Sequence, residues 1–367
     1  MNTKQDVSLM KKPESQYVVS NRGGIIESRH EVHAAVVDAA GNLLYSVGNP
    51  NRLTLIRSAA KPAQALAVVE TGALEKYGFD EADLALMCAS HNSEDRHVDR
   101  AKKMLASAGH VESNLRCGGH PSILPKLNQK WIKEDFKPTE VYNNCSGKHS
   151  GMLAGAKAIG ANIENYHHFD HPIQRRVQSV VEEISRLKPG EVQWGVDGCN
   201  MATPAMPLSG LGTLFLSFAK AADDAAAGKD LSSREKGLAR VFSAMSTYPE
   251  MVAGEERFCT LLMQAFGSSL IGKVGADACY GIGLRECEST KRLGVSGPIG
   301  IAVKMEDGNM NVLYMAMAEI LEQLDIGTPE ERQKLDQFHK HKIINSWGAV
   351  TGNYEYHFKL KKVENES

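Results

Sequence analysis

The amino-acid sequence predicts a mixed α+β (or α/β) fold in which helices flank an antiparallel sheet built from both ends of the chain. Two observations predict it. Strand-like stretches occur near the N-terminus and again after about residue 280, whereas roughly 150–270 carries helical patterns. Strands at both ends with helices between them are typical of domains whose terminal segments pair in one sheet. We therefore expect a single sheet with an inserted helical region.

The first half of the chain supplies the first strands and helices. The stretch EVHAAVVDAAGNLLYSVG, 31–48, predicts a strand, a turn at Gly41-Asn42 and a second strand. Apolar residues recur at helical spacing over about 63–73 and 95–108. Between these helices, the apolar run LALMCA, 84–89, predicts a buried strand.

The second half is helical first and then returns to strands. The stretch HPIQRRVQSVVEEISRL carries an apolar helical stripe. The uncharged run 198–219 contains two prolines and predicts a buried loop plus helix rather than a membrane span. IGIAVKMEDGNMNVLYMAM, 299–317, predicts a hairpin that turns at Asp307-Gly308-Asn309, with a helix near 317–325. A last strand is predicted within VTGNYEYHFKL, 350–360.

We predict one catalytic unit preceded by a short polar extension. The extension covers residues 1–16 and the unit covers 17–367. The sheet-forming part of the unit is approximately 17–60 and 270–367, and the mainly helical part is approximately 61–269. Neither an internal repeat nor a low-complexity linker divides the unit.

Composition restricts the classes of partner and the compartment. The 367 residues carry a net charge of −2, with 42% hydrophobic and 23% charged residues. No basic excess indicates nucleic acid, and no polybasic run indicates a membrane surface. The N-terminus MNTKQDVSLMKKPESQYVVS lacks the apolar core of a secretory signal. Seven cysteines, odd in number and scattered, predict reduced thiols in a cytoplasm.

The sharpest local pattern is RSAAKP, 57–62, which holds Ser58 and Lys61 one helical turn apart. This spacing places both side chains on one helix face, where a neutral lysine amine can accept the serine proton and make the hydroxyl nucleophilic. Penicillin-recognising enzymes use the same Ser-x-x-Lys logic. Pro62 disfavours helix at Lys61, so the turn must lie at the very start of a helix. By itself, however, the pattern often arises by chance.

Two further stretches offer a hydroxyl and an amine. In MCASHNSEDRH, 87–97, an apolar run breaks into polar residues beginning at Ser90. Such a break suits a site, but also an ordinary turn or helix cap. In GSSLIGKVGADACYGIG, 267–283, glycines flank Lys273, so that another backbone can approach it closely. On local evidence alone, a surface lysine is the simpler interpretation.

The stretch NNCSGKHSGM, 143–152, gathers several reactive side chains. It lacks the Gly-x-x-x-x-Gly-Lys-Ser spacing of a phosphate-binding loop. Cys145 and His149 are spaced i, i+4, which leaves a cysteine–histidine nucleophile open. A second isolated cysteine, Cys199, stands in the glycine-containing stretch WGVDGCN beside Asp197. Two thiolates brought together suit zinc, whereas a single cysteine is ordinarily a small buried hydrophobe.

Taken together, these motifs resemble the L-asparaginase II family, the Rhizobium-type or class 3 asparaginases. The resemblance runs from about residue 17 to residue 325. The combination is specific, although each motif alone is not. The stretches that carry it are RGGIIESRHEVHAAVVD, RSAAKPAQAL, CASHNSEDRH, RCGGHPS, NNCSGKHSGMLAGA and WGVDGCNMATPAMPL.

The resemblance implies a fold, a reaction and a set of site residues. It implies a serine β-lactamase-like or penicillin-binding-protein-like fold, hydrolysis of L-asparagine and a homodimer. It implies two Ser–Lys tandems and one zinc ion per chain, and places Arg57 and Asp197 at the polar ends of the substrate or in the shell of the metal. The implied tandems are Ser58 with Lys61 and Ser90 with Lys273, and the implied zinc ligands are Cys145, Lys148 and Cys199.

The third zinc ligand is open on chemical grounds. The neutral imidazole of His149 binds zinc readily, whereas Lys148 must first lose a proton. From a reference pKa of ~10.4, that loss costs roughly 4 to 5 kcal/mol at pH 7. The resemblance favours Lys148, which requires the charge of the metal and two thiolates to offset the cost.

Three other functions are compatible with the sequence to different degrees. A glutaminase or another small amidase on the same fold differs by one methylene in the substrate, worth only ~1 to 3 kcal/mol. A β-lactamase is disfavoured because the Ser-Asp-Asn and Lys-Thr-Gly boxes are absent from the sequence. The third alternative is a non-enzymatic zinc-dependent sensor on a penicillin-binding-like scaffold.

Overall fold

A computed structural model describes residues 16–188 and 190–363 of the chain. Its main sheet has nine strands, and every pairing in it is antiparallel. Numbered in chain order, its strands are β1 (Gln16–Arg22), β2 (Ile25–Val37), β3 (Leu43–Val47), β7 (Leu270–Gly275), β8 (Cys279–Leu284), β9 (Ile299–Met305), β10 (Lys342–Ile344), β11 (Val350–Phe358) and β12 (Lys361–Lys362). A separate three-stranded sheet contains β4 (Leu53–Leu55), β5 (Gln193–Val196) and β6 (Ala202–Pro207).

The order of strands brings the two ends of the chain together. In the main sheet the order is β10-β11-β1-β2-β9-β8-β7, with β3 paired to β2 and β12 paired to β3. The small sheet has the order β4-β6-β5. The prediction of a mixed fold with an antiparallel sheet from both termini is therefore confirmed. The narrower likeness to serine β-lactamases stays a prediction, as does the division into 1–16 and 17–367. Residues 1–15 lie outside the described residues, and Gln16 begins β1.

Helices fill the middle of the chain and cover the main sheet. The predicted helices over 95–108 and HPIQRRVQSVVEEISRL are confirmed, and the helix predicted over 63–73 is confirmed as far as Val69, where a turn separates α1 from α2. None of the helices in the described part of the chain is both long and apolar enough to cross a membrane. They are α1 (Lys61–Val69), α2 (Ala73–Tyr77), α3 (Glu81–Met87), α4 (Asp95–Ser107), α5 (Pro125–Lys133), α6 (Ser146–Ala158), α7 (Pro172–Ser185), α8 (Leu208–Ala226), α9 (Ser233–Thr247), α10 (Pro249–Val252), α11 (Phe258–Phe266), α12 (Glu288–Arg292), α13 (Met310–Gln323), α14 (Pro329–Gln333) and α15 (Asp336–His339).

Two predicted strands are helices instead. The first four residues of LALMCA end α3, whose first turn is fixed by a reciprocal capping box between Asp80 and Asp83. The predicted hairpin within 299–317 is wrong because β9 is followed directly by α13. The Asn309 side chain accepts a hydrogen bond from the Val312 amide at 3.1 Å, so the turn caps a helix and does not reverse a strand. In both cases a capping side chain favours a helix where the apolar pattern alone suggested a strand.

The uncharged run 198–219 also differs from its prediction. Its first part contains the strand β6, and α8 starts at Leu208. The prolines of the run favoured a loop, yet β6 is the central strand of the small sheet and pairs with β4 and β5. Tertiary pairing therefore overrides the local proline signal, and the helical half of the prediction is confirmed.

Helix α8 packs across β2, β8 and β9, and glycines allow the close approach. A Cβ atom at Gly300 of β9 would lie 2.0 Å from the Gly212 carbonyl oxygen of α8. Phe215 of the same helix occupies the space above Gly281, where a Cβ would lie 2.3 Å from its ring. The close contact between the sheet and α8 is therefore possible only because these positions are glycines, which have no side chain.

Replacement of Gly300 by alanine is expected to destabilise the protein by about 1–3 kcal/mol, because the helix must move away from the sheet. Thermal unfolding followed by circular dichroism measures the effect. Gly195→Ala is a suitable control, since a Cβ there meets its nearest neighbour at 3.5 Å. Equal unfolding temperatures for both variants would contradict this account of the α8 contact.

Candidate active site

Two buried lysines contact the hydroxyl of Ser90. Lys61 Nζ lies 3.0 Å from Ser90 Oγ, and Lys273 Nζ lies 2.9 Å from it. Both lysine side chains are fully buried. Lys61 also donates to the Ala89 carbonyl oxygen, and Lys273 donates to that of Val274 at 2.8 Å. Because two ammonium groups repel each other in a dry site, the arrangement favours a neutral amine on one of them.

Lys273 is driven towards the neutral form by its surroundings. Burial lowers the pKa of Lys273 to about 7; the Cys259 thiol opposes this shift, and the positive charges of Lys61 and Arg257 add to it. A neutral amine accepts a proton. Lys273 can therefore act as a base near neutral pH, with Ser90 as its hydrogen-bonded neighbour.

The backbone of β7 brings Lys273 close to the segment that precedes Ser58. A Cβ atom at Gly275 would lie 2.2 Å from the Ile56 carbonyl oxygen, so only glycine permits this approach. The predicted role of the glycines flanking Lys273 is thus confirmed at Gly275. The simpler interpretation of Lys273 as a surface lysine is wrong, since every residue of β7 is buried.

Ser90 lies in the loop between α3 and α4, and several contacts fix that loop. The Ser90 amide donates to the Val252 carbonyl oxygen at 2.9 Å. The Arg257 guanidinium donates to Asn92 Oδ1 at 3.1 Å and to the Ser90 carbonyl oxygen at 3.4 Å. Ser93 adopts a left-handed conformation, with φ +64°. Ser93 belongs to this loop, and residues in such rarely populated backbone conformations are frequent at functional sites.

Ser58 lies in the 3-10 turn Arg57–Ala60, directly before α1. This agrees with the prediction that the Ser-x-x-Lys turn starts a helix, and Pro62 occupies the first turn of α1. Ser58 is half-buried, and its hydroxyl makes no hydrogen bond within the described residues. The Lys61 amine contacts Ser90 Oγ and not Ser58 Oγ. The structure therefore brings Lys61, Ser90 and Lys273 together and leaves the Ser58 hydroxyl free.

Cys145, Lys148 and Cys199 form a second buried cluster. Cys145 precedes α6, Lys148 lies in the first turn of α6, and Cys199 lies between β5 and β6. The three residues are 2–5% exposed. Lys148 Nζ lies 3.0 Å from Cys199 Sγ. The hydrogen bond with the Cys145 thiol holds the pKa of Cys199 well below its usual range; burial opposes this, and the Lys148 charge supports it.

Two of the three side chains in this cluster are thiols, the donor type that zinc prefers. Thiolates bind zinc strongly, and Lys148 donates a hydrogen bond to Cys199 Sγ. Burial lowers the pKa of Lys148, but the charges of Cys199 and Cys145 outweigh burial and raise it above its usual range, so a zinc ion would have to displace the proton of Lys148. The described residues contain no group of three or more histidine, cysteine or acidic side chains that could hold a metal. A zinc ion held here by three residues would have Cys145, Lys148 and Cys199 as its ligands.

His149 uses one ring nitrogen in a hydrogen bond, and its other ring nitrogen, Nε2, is buried without a partner within the described residues. Its Nδ1 lies 2.6 Å from Tyr166 Oη, and Tyr166 Oη accepts a hydrogen bond from the Arg116 amide at 3.1 Å. Burial, and then the charge of Lys148, lower the pKa of His149 well below its usual range. Lys148 donates a hydrogen bond to Cys199 Sγ at 3.0 Å, and His149 makes no hydrogen bond to either cysteine within the described residues, so the identity of the third ligand stays a prediction.

Arg57 links the Ser58 turn to the cysteine cluster. Its Nε donates to Asp197 Oδ1 at 2.7 Å, and its Nη1 donates to Asp277. Burial disfavours the charged form of Asp197, but Lys148 and Arg57 outweigh it and hold the pKa of this carboxyl below its usual range. Arg57 has φ +48°, a left-handed conformation that is rare for a side chain of this size. The sequence-predicted pair of Arg57 and Asp197 is therefore in contact.

The sequence did not reveal several residues that support the site. His91 Nδ1 accepts the Ser93 amide at 3.1 Å, so its Nε2 carries the proton and donates to Ser146 Oγ at 2.9 Å. This bond ties the Ser90 loop to the start of α6. Arg257 was also missed, because it lies in a polar turn without a recognisable motif. His91 stands within the polar break after LALMCA, which was its only signal.

Comparison with known protein families places the chain in one family. The family model described as L-asparaginase II matches residues 18–356. No curated protein gives a significant match. The matched range includes every residue of the two clusters and all strands from β2 to β10. Because the match covers most of the 367 residues, the chain belongs to the L-asparaginase II family, a family of amide-hydrolysing enzymes.

Proposed function

We propose that this protein hydrolyses L-asparagine to L-aspartate and ammonia through a serine nucleophile. The observation that carries the proposal is the Ser90 hydroxyl held between Lys61 and Lys273, next to the turn that presents Ser58. A buried amine with a pKa near 7 supplies a base at neutral pH. The family match supports an amide as the substrate.

Ser58 is the proposed nucleophile. An attacking hydroxyl needs a free lone pair and access to the substrate. The Ser58 hydroxyl is half-buried and is not held by another side chain, whereas Ser90 Oγ is contacted by two amines. Attack on the side-chain amide carbon would form a tetrahedral oxyanion and then a β-aspartyl ester on Ser58. Backbone N–H groups near Ser58 would stabilise the oxyanion.

The proton of Ser58 would pass to the network of Lys61, Ser90 and Lys273. Neutral Lys273 is the final acceptor, and Ser90 Oγ connects it to Lys61 through contacts of 2.9 and 3.0 Å. The same network would return the proton to the departing ammonia. Water would then hydrolyse the ester, with Lys273 as base again. Ser58 Oγ makes no hydrogen bond to this network within the described residues, so the step requires its hydroxyl to come within reach of the Lys61 amine when asparagine binds.

Arg57 and Asp197 are proposed to bind the polar ends of asparagine. The guanidinium suits the α-carboxylate, and the carboxylate of Asp197 suits the α-ammonium group. Their contact at 2.7 Å keeps both charges oriented next to the Ser58 turn. Arg57 immediately precedes Ser58, so movement of its side chain would also move the nucleophile.

Cys145, Lys148 and Cys199 are proposed to hold one zinc ion per chain, with water or the substrate as the fourth ligand. Zinc bound there would supply a Lewis acid that attracts the α-amino or α-carboxylate group of asparagine. The chain's own residues would then perform the proton transfers. Binding requires loss of the protons of Cys145 and Lys148, so metal affinity should fall as the pH falls.

Cys199→Ser is expected to raise KM for asparagine more than it lowers kcat, because the thiolate binds the metal and does not attack the substrate. Metal analysis of wild-type protein purified without chelator should find about one zinc per chain. Cys117→Ser is the matched control, since this nearby buried thiol contacts the Glu140 carbonyl oxygen and should leave the zinc content unchanged. Absence of zinc in the wild type, or complete loss of kcat at any asparagine concentration after chelation, would contradict the assignment.

Ammonia release from asparagine and from glutamine, together with ring opening of a chromogenic β-lactam followed by absorbance, tests the proposed function against its alternatives. Turnover of asparagine in clear preference to glutamine supports the asparaginase. Faster turnover of glutamine would identify a glutaminase, and hydrolysis of the β-lactam would identify a penicillin-recognising enzyme. Zinc binding without turnover of any substrate would instead identify a sensor.

A homodimer and a cytoplasmic location complete the proposal. One end of the main sheet carries exposed apolar side chains where the β1–β2 and β10–β11 turns lie together. Trp347 is 91% exposed there, more than an aromatic side chain usually is. All seven cysteines are free, which supports a reducing compartment. The other exposed apolar residues are Ile25, Ile344 and Val350.

Light scattering during size-exclusion chromatography should give the mass of two chains. Trp347→Glu should shift the equilibrium towards one chain, because it places a charge in the exposed apolar cluster. A wild-type protein that is monomeric at about 100 μM would contradict the dimer, since obligate dimers have far lower dissociation constants.

A further inference from the structure

A cavity of about 650 Å³ lies outside the two buried clusters. The face of the small sheet forms one wall, through residues of β4 and β5. The end of β9 and the residues that follow it, 304–308, form the opposite wall. Ser58, Ser90, Lys61 and Lys273 do not line it.

Lys304 is a buried cation in this cavity. It is 7% exposed, and its ammonium group donates to the Met305 carbonyl oxygen. Within the described residues Lys304 forms no ion pair, which leaves two of its three N–H donors available. Burial lowers its pKa, and the charge of Arg52 adds to this effect. Lys304 lines the cavity, so an anion that enters it would meet these N–H donors and would stabilise the charged form of the amine.

The acidic side chains of the cavity already have partners. Glu306 contacts Arg52 through two N–H···O bonds of 2.5 and 3.0 Å and also contacts His33 at 3.1 Å. Asp307 Oδ2 lies 2.5 Å from His30 Nδ1. These carboxylates therefore do not neutralise Lys304 directly. Because three carboxylates, including Asp277, line the cavity, a ligand with several negative charges would be repelled.

The opposite wall is apolar. Leu53 and Leu55 are 47% and 49% exposed, while Thr54 between them is buried. The strand β4 thus directs two leucines away from the core, where polar side chains are usual. The half-buried ring of Trp194 on β5 lies in the same wall. Such a surface buries the apolar body of a ligand.

We infer that this cavity binds a small monocarboxylate with an apolar body, whose carboxylate pairs with Lys304 and whose body packs on Leu53, Leu55 and Trp194. The volume of about 650 Å³ accommodates a molecule of this size. The site is adjacent to the catalytic cleft, because Asp277 lines the cavity and also accepts a hydrogen bond from Arg57. It does not depend on the proposed asparaginase activity.

Isothermal titration of the full chain with phenylacetate tests this inference. We expect one site per chain with a dissociation constant below about 1 mM, and at least tenfold weaker binding of the neutral analogue 2-phenylethanol. Lys304→Met should weaken phenylacetate binding at least tenfold, whereas Lys304→Arg should retain it within a few-fold. Lys133→Met, at an exposed lysine of α5, should leave binding unchanged.

Asparagine serves as the competitor that separates this cavity from the catalytic cleft. Phenylacetate affinity should stay unchanged in the presence of saturating asparagine. Displacement by asparagine, equal binding of phenylacetate and 2-phenylethanol, or no binding to the wild type up to about 10 mM would each overturn the inference. The comparison with 2-phenylethanol uses wild-type protein, so the test stands even if Lys304→Met fails to fold.

Discussion

Replacement of Ser58 by alanine is expected to lower kcat by about 10³-fold or more, a loss of about 4 kcal/mol of transition-state stabilisation. The reason is the loss of the attacking oxygen, which no other group in the turn Arg57–Ala60 can replace. The KM for asparagine should change little, because Arg57 and Asp197 keep their contact of 2.7 Å. Initial rates of ammonia release over a range of asparagine concentrations separate the two constants.

Ser246→Ala provides the matched control for this variant. Ser246 is half-buried like Ser58 but lies near the end of α9 and bonds to the Ser243 carbonyl oxygen. It should keep wild-type kinetics. If Ser58→Ala retains more than about a tenth of wild-type activity, the nucleophile is Ser90 and the proton path must be reassigned. Lys61→Met should lose nearly as much activity as Ser58→Ala, because the residues act as a unit.

Loss of the Lys273 amine is expected to lower kcat by about 10²- to 10⁴-fold, the usual range for a general base. In the wild type, the base works only when it is neutral. Since burial lowers the pKa of Lys273 to about 7, kcat/KM should fall about tenfold per pH unit below that value. Above about pH 8 the rate should reach its plateau, so the optimum is alkaline. The Lys273→Met variant should therefore lose most of its kcat and should also lose the pH dependence that arises from this lysine.

Lys304→Met is the control for the pH dependence, because it also removes a buried lysine whose pKa is lowered by burial. It lies outside the catalytic contacts and should leave the pH profile of asparagine hydrolysis unchanged. A wild-type rate maximum near pH 5 to 6 would argue against a neutral lysine as base. So would a Lys273→Met variant that keeps the wild-type profile.

Local sequence patterns predicted the fold well for elements whose structure depends only on their own residues. The turn at Gly41-Asn42 and the apolar stripe of α7 needed no partner, and both were confirmed. The run LALMCA failed because an apolar segment of six residues suits a strand or a helix equally. Only the capping box of Asp80 and Asp83 distinguishes them, and it lies before the run. The pairing of β1 with β11 was foreseen only as a general consequence of strands at both ends.

The candidate site required long-range contacts that local spacing does not encode. Lys61 and Ser90 are 29 positions apart, and Lys273 and Ser90 are 183 apart. Spacing paired Lys61 with Ser58, which shares its turn, whereas the fold directs the amine to Ser90. The resemblance to known asparaginases supplied what spacing could not, namely that these residues belong to one site. Arg257 has no motif and could be found only from its contacts in the fold.

The most direct test of the account is to identify the residue that an asparagine analogue modifies when a diazoketone replaces its side-chain amide. The analogue carries the α-amino and α-carboxylate groups of the substrate and forms a stable bond with the nucleophile. Peptide mass spectrometry of the inactivated protein should find the adduct on Ser58, and excess asparagine should protect this residue. An adduct on Ser90 with Ser58 unmodified would contradict the central claim that Ser58 attacks the amide.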